Sequence, residues 1–102
     1  MPLATTAAIV GAARAERRGA AAFNVIQIEH AQAIVAGALR ANAPVILQLS
    51  ENAVRYHGAL RPIAAAVRAV AELAGTPVAL HLDHATDAAL VREAAGLGFG
   101  SV

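Results

Sequence analysis

Residues 77–84 have the sequence Pro-Val-Ala-Leu-His-Leu-Asp-His. The apolar first half predicts a buried strand, and polar side chains gather where that strand ends. Because a strand alternates its faces, we expect His81 and Asp83 on one face and His84 on the other until the chain turns. At the carboxyl end of the strand, Asp83 and His84 can then converge on one cavity, where α/β proteins keep their chemistry. The alternative is a strand end at which Asp83 only caps the next helix.

Other apolar runs predict further strands of the same kind. Val45–Leu49 is almost continuously apolar and contains β-branched residues, as expected of a parallel strand that is buried on both faces. It ends in the polar residue Ser50, as the shorter run Ala20–Asn24 ends in Asn24. Phe99–Val102 has the composition of a fourth strand that is just beginning. Polar side chains are therefore expected at the carboxyl ends of neighbouring strands.

Helices are predicted between these strands from the spacing of apolar residues. They cover residues 5–18, 28–41, 61–74 and 86–97, with a loop over residues 53–59. The core stripe of the third helix is expected to be Ile63, Val67, Val70 and Leu73. The order is one helix, three strand and helix units, and a last strand. Short connections of this kind imply right-handed crossovers and a parallel sheet in a single domain, 1–102, without an internal boundary.

Two α/β architectures fit this order, a doubly wound open sheet and part of a (β/α)8 TIM barrel. The open sheet is expected to carry a glycine-rich phosphate turn after its first strand, but the stretch Phe23–Gln27 contains no glycine. The barrel is therefore favoured. A complete barrel needs about 250 residues, so this chain would cover roughly the first half. That half comprises an N-terminal helix, β/α units 1–3 and the start of strand 4.

Composition excludes several classes of function. With a net charge of +1, scattered basic residues and 3% aromatic residues, the chain offers no surface for nucleic acid. No segment reaches the roughly 20 apolar residues that cross a membrane, so a cytoplasmic protein is expected. There is no cysteine, so any metal must be bound by histidine, carboxylate or water. All eight basic residues are arginines, and without lysine a Schiff base cannot form; carbanion chemistry would need a metal.

Several stretches together resemble the class II, zinc-dependent ketose-bisphosphate aldolases. The resemblance is carried, in order, by AFNV (22–25), PVILQLSENAVRYHG (44–58), PVALHLDHATD (77–87) and GFGSV (98–102). It runs from about Leu3 to the end and covers the first part of the family's barrel. The family includes fructose-1,6-bisphosphate and tagatose-bisphosphate aldolases, and the SENAVRYHG stretch is more similar to the fructose type. A sugar phosphate is thus the implied substrate.

The resemblance also implies roles for individual residues. Asp83 matches the acid/base that exchanges a proton with the C4 hydroxyl of the substrate. His84 matches a ligand of a catalytic Zn²⁺, which polarises the ketone oxygen and stabilises an enediolate. Asn24 and Ser50 match positions that contact the substrate, with loop capping as their alternative role. His81 is expected to support the site without binding the metal.

Other polar residues are given ordinary roles at this point. His30 and His57 have no ligand spacing, so surface or packing roles are expected. Glu51 is expected to be a solvated carboxylate in a loop. The family takes two further zinc-binding histidines from later strands, so one histidine in this chain leaves the zinc site incomplete and the chain alone inactive. Open strand edges and an apolar inner face favour association, and the complete protein is expected to be a homo-oligomer, a dimer or tetramer.

Three hypotheses follow from the sequence. The first is a class II aldolase, a lyase that reversibly cleaves fructose-1,6-bisphosphate or tagatose bisphosphate. The second is a non-catalytic half-barrel that acts as an interaction protein through its open edges. The third is an unrelated open-sheet binding domain in which Asp83 caps a helix.

Overall fold

The computed structural model describes residues 3–102, in which parallel strands alternate with helices. The strands are β1 (Ala22–Asn24), β2 (Val45–Ser50) and β3 (Val78–Asp83). The helices are α1 (Thr6–Ala15), α2 (Ile28–Arg40), α3 (Glu51–His57), α4 (Leu60–Glu72) and α5 (Ala88–Gly96). This alternation confirms the α/β class that the sequence predicts. Within residues 3–102, no helix is both long and apolar enough to span a membrane.

The three strands form one parallel sheet in the order β1-β2-β3. In the register of this sheet, Gln48 lies opposite both Asn24 and His81, and Ser50 lies opposite Asp83. The predicted fourth strand is reduced here to a single parallel bridge between His81 and Ser101. The predicted site residues Ser50 and Asp83 thus end neighbouring strands at the same edge of the sheet.

One face of the sheet, called here the outer face, forms the main hydrophobic core. The residues of β2 and β3 on this face are completely or almost completely buried and pack with α2 and α4: Val45, Leu47, Leu49, Val78, Leu80 and Leu82. From the helices, Ala31, Ile63 and Val67 meet them. Burial of these aliphatic side chains is the main source of stability of the fold.

The opposite face, called here the inner face, carries the alternate residues of the strands. Its amino-terminal part is covered by α1, whose Ile9 packs with Ile46 and Ala79. Thr5 begins this helix by accepting a hydrogen bond from the backbone N–H of Ala8 at 3.1 Å. Beyond α1 the inner face is polar, with Gln48, His81, Ser50 and Asp83 in place of aliphatic residues. The expected apolar inner face is therefore wrong beyond the first layer.

Several predicted boundaries differ from the structure. The segment expected as a loop over residues 53–59 contains most of α3, because Ser50 caps its start and Gly58 ends it in a left-handed conformation (φ +83°). Helix α1 ends at Ala15 rather than Arg18, since Arg17 has a positive φ of +57°. Strand β1 begins at Ala22 rather than Ala20. Leu73, expected in the core stripe of the third helix, is 87% exposed, because the buried stripe runs through Ile63, Ala64, Val67, Ala71 and Ala74 instead.

We expect the core of the outer face to be the most sensitive part of the fold. Leu47→Ala removes a fully buried side chain from the central strand and should lower the free energy of unfolding by about 2–5 kcal/mol. Leu73→Ala, the matched exposed control, should change it by less than about 0.5 kcal/mol. Urea denaturation followed by circular dichroism measures both. Equal losses for the two variants would contradict the assignment of the core.

Candidate active site

Asp83 is the last residue of β3, and its carboxylate lies between two imidazoles. One carboxylate oxygen, Oδ1, is 3.6 Å from His81 Nε2, and the other, Oδ2, is 3.6 Å from His84 Nε2. His84 reaches the carboxylate because it leaves the strand with a positive φ of +51°, which turns the chain at once. Both imidazoles attract the carboxylate electrostatically when they carry a proton. The structure therefore brings together the three residues singled out at this strand end.

His81 is held from its other side by a chain of hydroxyl groups. Its Nδ1 is 2.7 Å from the Oγ of Ser101, and that oxygen is 2.6 Å from the Oγ1 of Thr6. Thr6 is the first residue of α1, so this chain of hydrogen bonds runs from α1 to the centre of the inner face. With Nδ1 engaged, the imidazole presents Nε2 to Asp83. Sequence reasoning missed Thr6 and Ser101, because 95 residues separate them along the chain.

Asn24 and Ser50 lie at the same carboxyl edge and have structural partners as well. Asn24 is exposed, and its Oδ1 accepts a hydrogen bond from Gln48 Nε2 at 2.9 Å. The Oγ of Ser50 accepts a hydrogen bond from the backbone N–H of Ala53 at 3.1 Å, which caps α3. Capping, the alternative role considered for these residues, is therefore present at Ser50.

Glu51 is a further residue at this edge of the sheet whose contacts sequence reasoning missed. The expectation of a solvated carboxylate is wrong, because Glu51 is only 8% exposed. Its Oε1 accepts hydrogen bonds from the backbone N–H groups of Thr86 and Asp87, both at 3.1 Å. Its Oε2 accepts from the hydroxyl of Thr86 at 2.9 Å and from Arg55 Nη2 at 2.7 Å. The only local feature of the sequence that could have indicated a partner for Glu51 is Arg55, which follows it at the i,i+4 spacing of helical ion pairs.

These contacts lower the pKa of Glu51 below the ordinary value of 4.5. The hydroxyl of Thr86 is the largest cause, followed by the backbone N–H of Thr86. Burial acts in the opposite direction, and the N–H of Asp87 and the Arg55 guanidinium add to the lowering. Hydrogen bonds to the charged form therefore outweigh the loss of solvation.

His30 and His57 both contact the backbone of the turn after β1. Nδ1 of His30 accepts hydrogen bonds from the N–H groups of Ile26 and Gln27, at 3.2 and 3.1 Å. Nε2 of His57 is hydrogen-bonded to the carbonyl oxygen of Ile26. Both side chains thus stabilise this turn through hydrogen bonds to its backbone.

The residues that could hold a metal ion are few in this part of the protein. Within residues 3–102, no group of three or more histidine, cysteine, aspartate or glutamate residues is placed to bind one. His84 offers an imidazole whose side chain is 87% exposed, with the Asp83 carboxylate beside it. One imidazole and one carboxylate do not by themselves fit a catalytic zinc site, which takes about three protein ligands.

A parallel α/β sheet with a carboxylate and an imidazole at its carboxyl edge is the arrangement in which α/β enzymes, (β/α)8 barrels among them, place their active sites. Comparison with known proteins narrows this class. Residues 4–102 match the sequence model of the family described as "Fructose-bisphosphate aldolase class-II". The chain belongs to the class II fructose-bisphosphate aldolase family.

Individual relatives agree with this family. The chain is 44% identical over 100 residues to a fructose-bisphosphate aldolase from Thermus caldophilus, covering 98% of this chain and 32% of that protein. It is 39% identical over 92 residues to a 6-phospho-5-dehydro-2-deoxy-D-gluconate aldolase from Bacillus subtilis, covering 88% of this chain and 32% of that protein. The chain thus spans about a third of the length of these relatives.

A solved structure confirms the fold. The crystal structure of the YdjI aldolase from Escherichia coli K12 superimposes with a TM-score of 0.86 at 24% sequence identity. The superposition covers 95% of this chain and 38% of that chain. The described strands and helices therefore have the fold of part of that structure, which agrees with the predicted partial α/β barrel.

The lowered pKa of Glu51 predicts an acid-sensitive contribution to stability. The folded state binds this proton less readily than the unfolded state, so the contribution is present above pH 4.5 and is lost as the pH falls through the lower folded pKa. Glu51→Gln should therefore be less stable than the wild type at pH 7, and the difference should shrink below pH 4.5. Urea midpoints measured from pH 7 to pH 3 test this expectation.

The matched control for this measurement is Glu72→Gln, which removes an exposed glutamate that pairs with Arg68 at 2.6 Å. A surface pair of this kind is worth about 0–1 kcal/mol, so little change is expected. A gap between the wild type and Glu51→Gln that is as wide at pH 3 as at pH 7 would contradict the assigned role of the buried carboxylate.

Proposed function

We propose that Asp83 and His84 are active-site residues of a class II aldolase. The reaction is the reversible cleavage of fructose-1,6-bisphosphate to dihydroxyacetone phosphate and glyceraldehyde 3-phosphate. The observation that carries the proposal is the meeting of Asp83 and His84 at the carboxyl end of β3, 3.6 Å apart, in a chain of this family. Because the chain spans about a third of its relatives, the activity is proposed for the full-length protein.

Asp83 is proposed to move the proton at the C4 hydroxyl of the substrate. When the bond between C3 and C4 breaks, the carboxylate accepts this proton; in the synthetic direction it returns the proton to the aldehyde oxygen. Its side chain is partly exposed at 23%, so a substrate hydroxyl can approach. The neighbouring imidazole of His81, held by Ser101, keeps the carboxylate oriented.

His84 is proposed to be one ligand of a Zn²⁺ ion, with the other ligands from parts of the protein outside this chain. When bound, zinc acts as a Lewis acid toward the ketone oxygen of the substrate. The exposed imidazole of His84 is accessible to such an ion.

Asn24 and Ser50 are proposed to hold the substrate by its hydroxyl or phosphate oxygens. The Oγ of Ser50 accepts a hydrogen bond from Ala53, which leaves its own O–H available as a donor. Asn24 accepts from Gln48 through Oδ1, which leaves its NH₂ group to donate. Both donors lie at the same edge of the sheet as Asp83.

The choice of fructose-1,6-bisphosphate is supported by the SENAVRYHG stretch and by the Thermus caldophilus relative. Tagatose bisphosphate is the alternative from the sequence. The Bacillus subtilis relative favours another alternative, 6-phospho-5-dehydro-2-deoxy-D-gluconate. All three are phosphorylated ketone-containing sugars that an aldol cleavage divides. Such substrates are charged and stay within the cell, which supports a cytoplasmic location.

Association into a homo-oligomer is part of the proposal and is supported by exposed apolar side chains. Near β1 and α2, Phe23, Ile26, Ile28 and Leu39 are between 38% and 51% exposed. Exposed apolar side chains of this kind favour contact with a further part of the barrel or with another copy. A half-barrel that only binds partners would use the same surface without catalysis.

We expect a chimera to show the activity. In it, this chain replaces the matching third of the Thermus caldophilus aldolase. Asp83→Asn in the chimera should lower kcat by about 10²–10⁴-fold with little change in KM, because the amide cannot exchange the proton but fills the same space. A coupled assay of triose phosphate formation measures both constants. A folded chimera whose Asp83→Asn variant keeps full activity would contradict the role of Asp83.

We also expect the chimera to depend on metal. A chelator should abolish activity and added Zn²⁺ should restore it, whereas His84→Ala should lower the zinc content measured by mass spectrometry. Borohydride should leave the enzyme active in the presence of substrate, since no imine forms. A substrate adduct trapped by borohydride would overturn the metal-dependent proposal.

A further inference from the structure

The position of His84 depends on its backbone, because little surrounds its side chain. The imidazole is 87% exposed, and its Nε2 lies 3.6 Å from Oδ2 of Asp83. The residue adopts a left-handed conformation, φ +51°, which a non-glycine residue keeps only where its surroundings impose it. Something must therefore hold the connection between β3 and α5, residues 84–87.

Glu51 holds this connection at its far end. The N–H groups of Thr86 and Asp87 and the hydroxyl of Thr86 all donate to its carboxylate, at 2.9–3.1 Å. At its near end, the connection continues β3, where Leu82 donates its N–H to the carbonyl of Ser101 at 3.1 Å. His84 thus lies between two anchors, one from the sheet and one from Glu51.

Glu51 is itself rigidly placed. It directly follows Ser50, which lies opposite Asp83 in the register of the sheet, and it is the first residue of α3. Arg55, one turn later on the same helix, pairs with its Oε2 from the solvent side at 2.7 Å. The carboxylate therefore joins the end of one strand to the loop that leaves the next strand. The two oxygens of Glu51 together accept four hydrogen bonds. A charged carboxylate can do this because both of its oxygens accept, whereas a glutamine amide has a single acceptor oxygen.

We propose that Glu51 is a positioning residue that imposes the conformation of residues 84–87 and so places His84 beside Asp83. The consequence for catalysis rests on the proposed function of His84, whereas the effect on the loop stands by itself. No contact between Glu51 and the substrate is required.

The test uses the full chain, labelled for nuclear magnetic resonance. Glu51→Gln replaces one acceptor oxygen by an NH₂ group, so that in either orientation of the amide two of the four donors from Thr86, Asp87 and Arg55 face an NH₂ group. We expect hydrogen exchange of the Thr86 and Asp87 amides to become about tenfold faster or more, while the core amides of Leu47 and Leu80 change much less. The ¹³C shifts of His84 should also move away from left-handed values.

Two further variants separate this local effect from a loss of overall stability. Thr86→Val removes one donor to Glu51 and leaves both backbone donors, so a smaller acceleration is expected. Thr86→Ser restores the hydroxyl and should return exchange and the His84 shifts to wild-type values. Because neither replaces Glu51, both remain informative if Glu51→Gln does not fold.

The proposal is overturned if Thr86 and Asp87 stay protected and His84 keeps its left-handed shifts in Glu51→Gln. An equal acceleration at every amide, with no change in the His84 shifts, would also overturn it, since that result is general destabilisation. Neither outcome affects the aldolase assignment. Conversely, an inactive wild-type chimera would remove the aldolase proposal and leave the effect on the loop unchanged.

Discussion

The parallel pairing of β2 with β3 over six residues is the constraint on which the rest of the structure depends. It places Leu47 and Leu80 side by side on the outer face, and Ser50 and Asp83 side by side at the carboxyl edge. A shift of one residue would exchange the two faces and put the polar side chains into the aliphatic core. The packing of the core and the placement of Asp83 therefore require the same register, since the buried leucines oppose a shift that would displace Asp83.

The inner face divides into layers with different tasks. In the layer next to α1, Ile9 packs on Ile46 and Ala79, so this helix covers the amino-terminal end of the inner face with apolar side chains. The next layer is polar: Gln48 donates a hydrogen bond to Asn24, and His81 is hydrogen-bonded to Ser101. Polar groups at this depth are stable only when they are paired. The pairing of this layer therefore orients the last layer, where Asp83 is partly open to solvent.

Much of this arrangement can be predicted from the sequence, because it depends on local patterns. Strand alternation places His81 with Asp83, and apolar runs locate β2 and β3. Non-local contacts could not be predicted in the same way. Helix α3, Glu51–His57, was not predicted because it is short and has no apolar periodicity over several turns. It can be recognised only from the capping residues at its two ends. The burial of Glu51 depends on hydrogen-bond donors that lie 35 and 36 residues further along the chain, and no local sequence pattern predicts them.

The same contrast explains why a third of a barrel can hold part of a site in order. Asp83 is contacted by His81 of β3, and the loop that carries His84 is held by Glu51, which follows β2. Ser101 and, behind it, Thr6 of α1 support His81. Each contact crosses only one strand boundary, so the geometry of this pair does not require the sheet to close. Metal coordination differs, because its ligands must converge from several strands around the ring. The carboxylate that is proposed to transfer the proton is thus positioned by neighbouring strands, whereas the proposed metal site would need ligands from further strands.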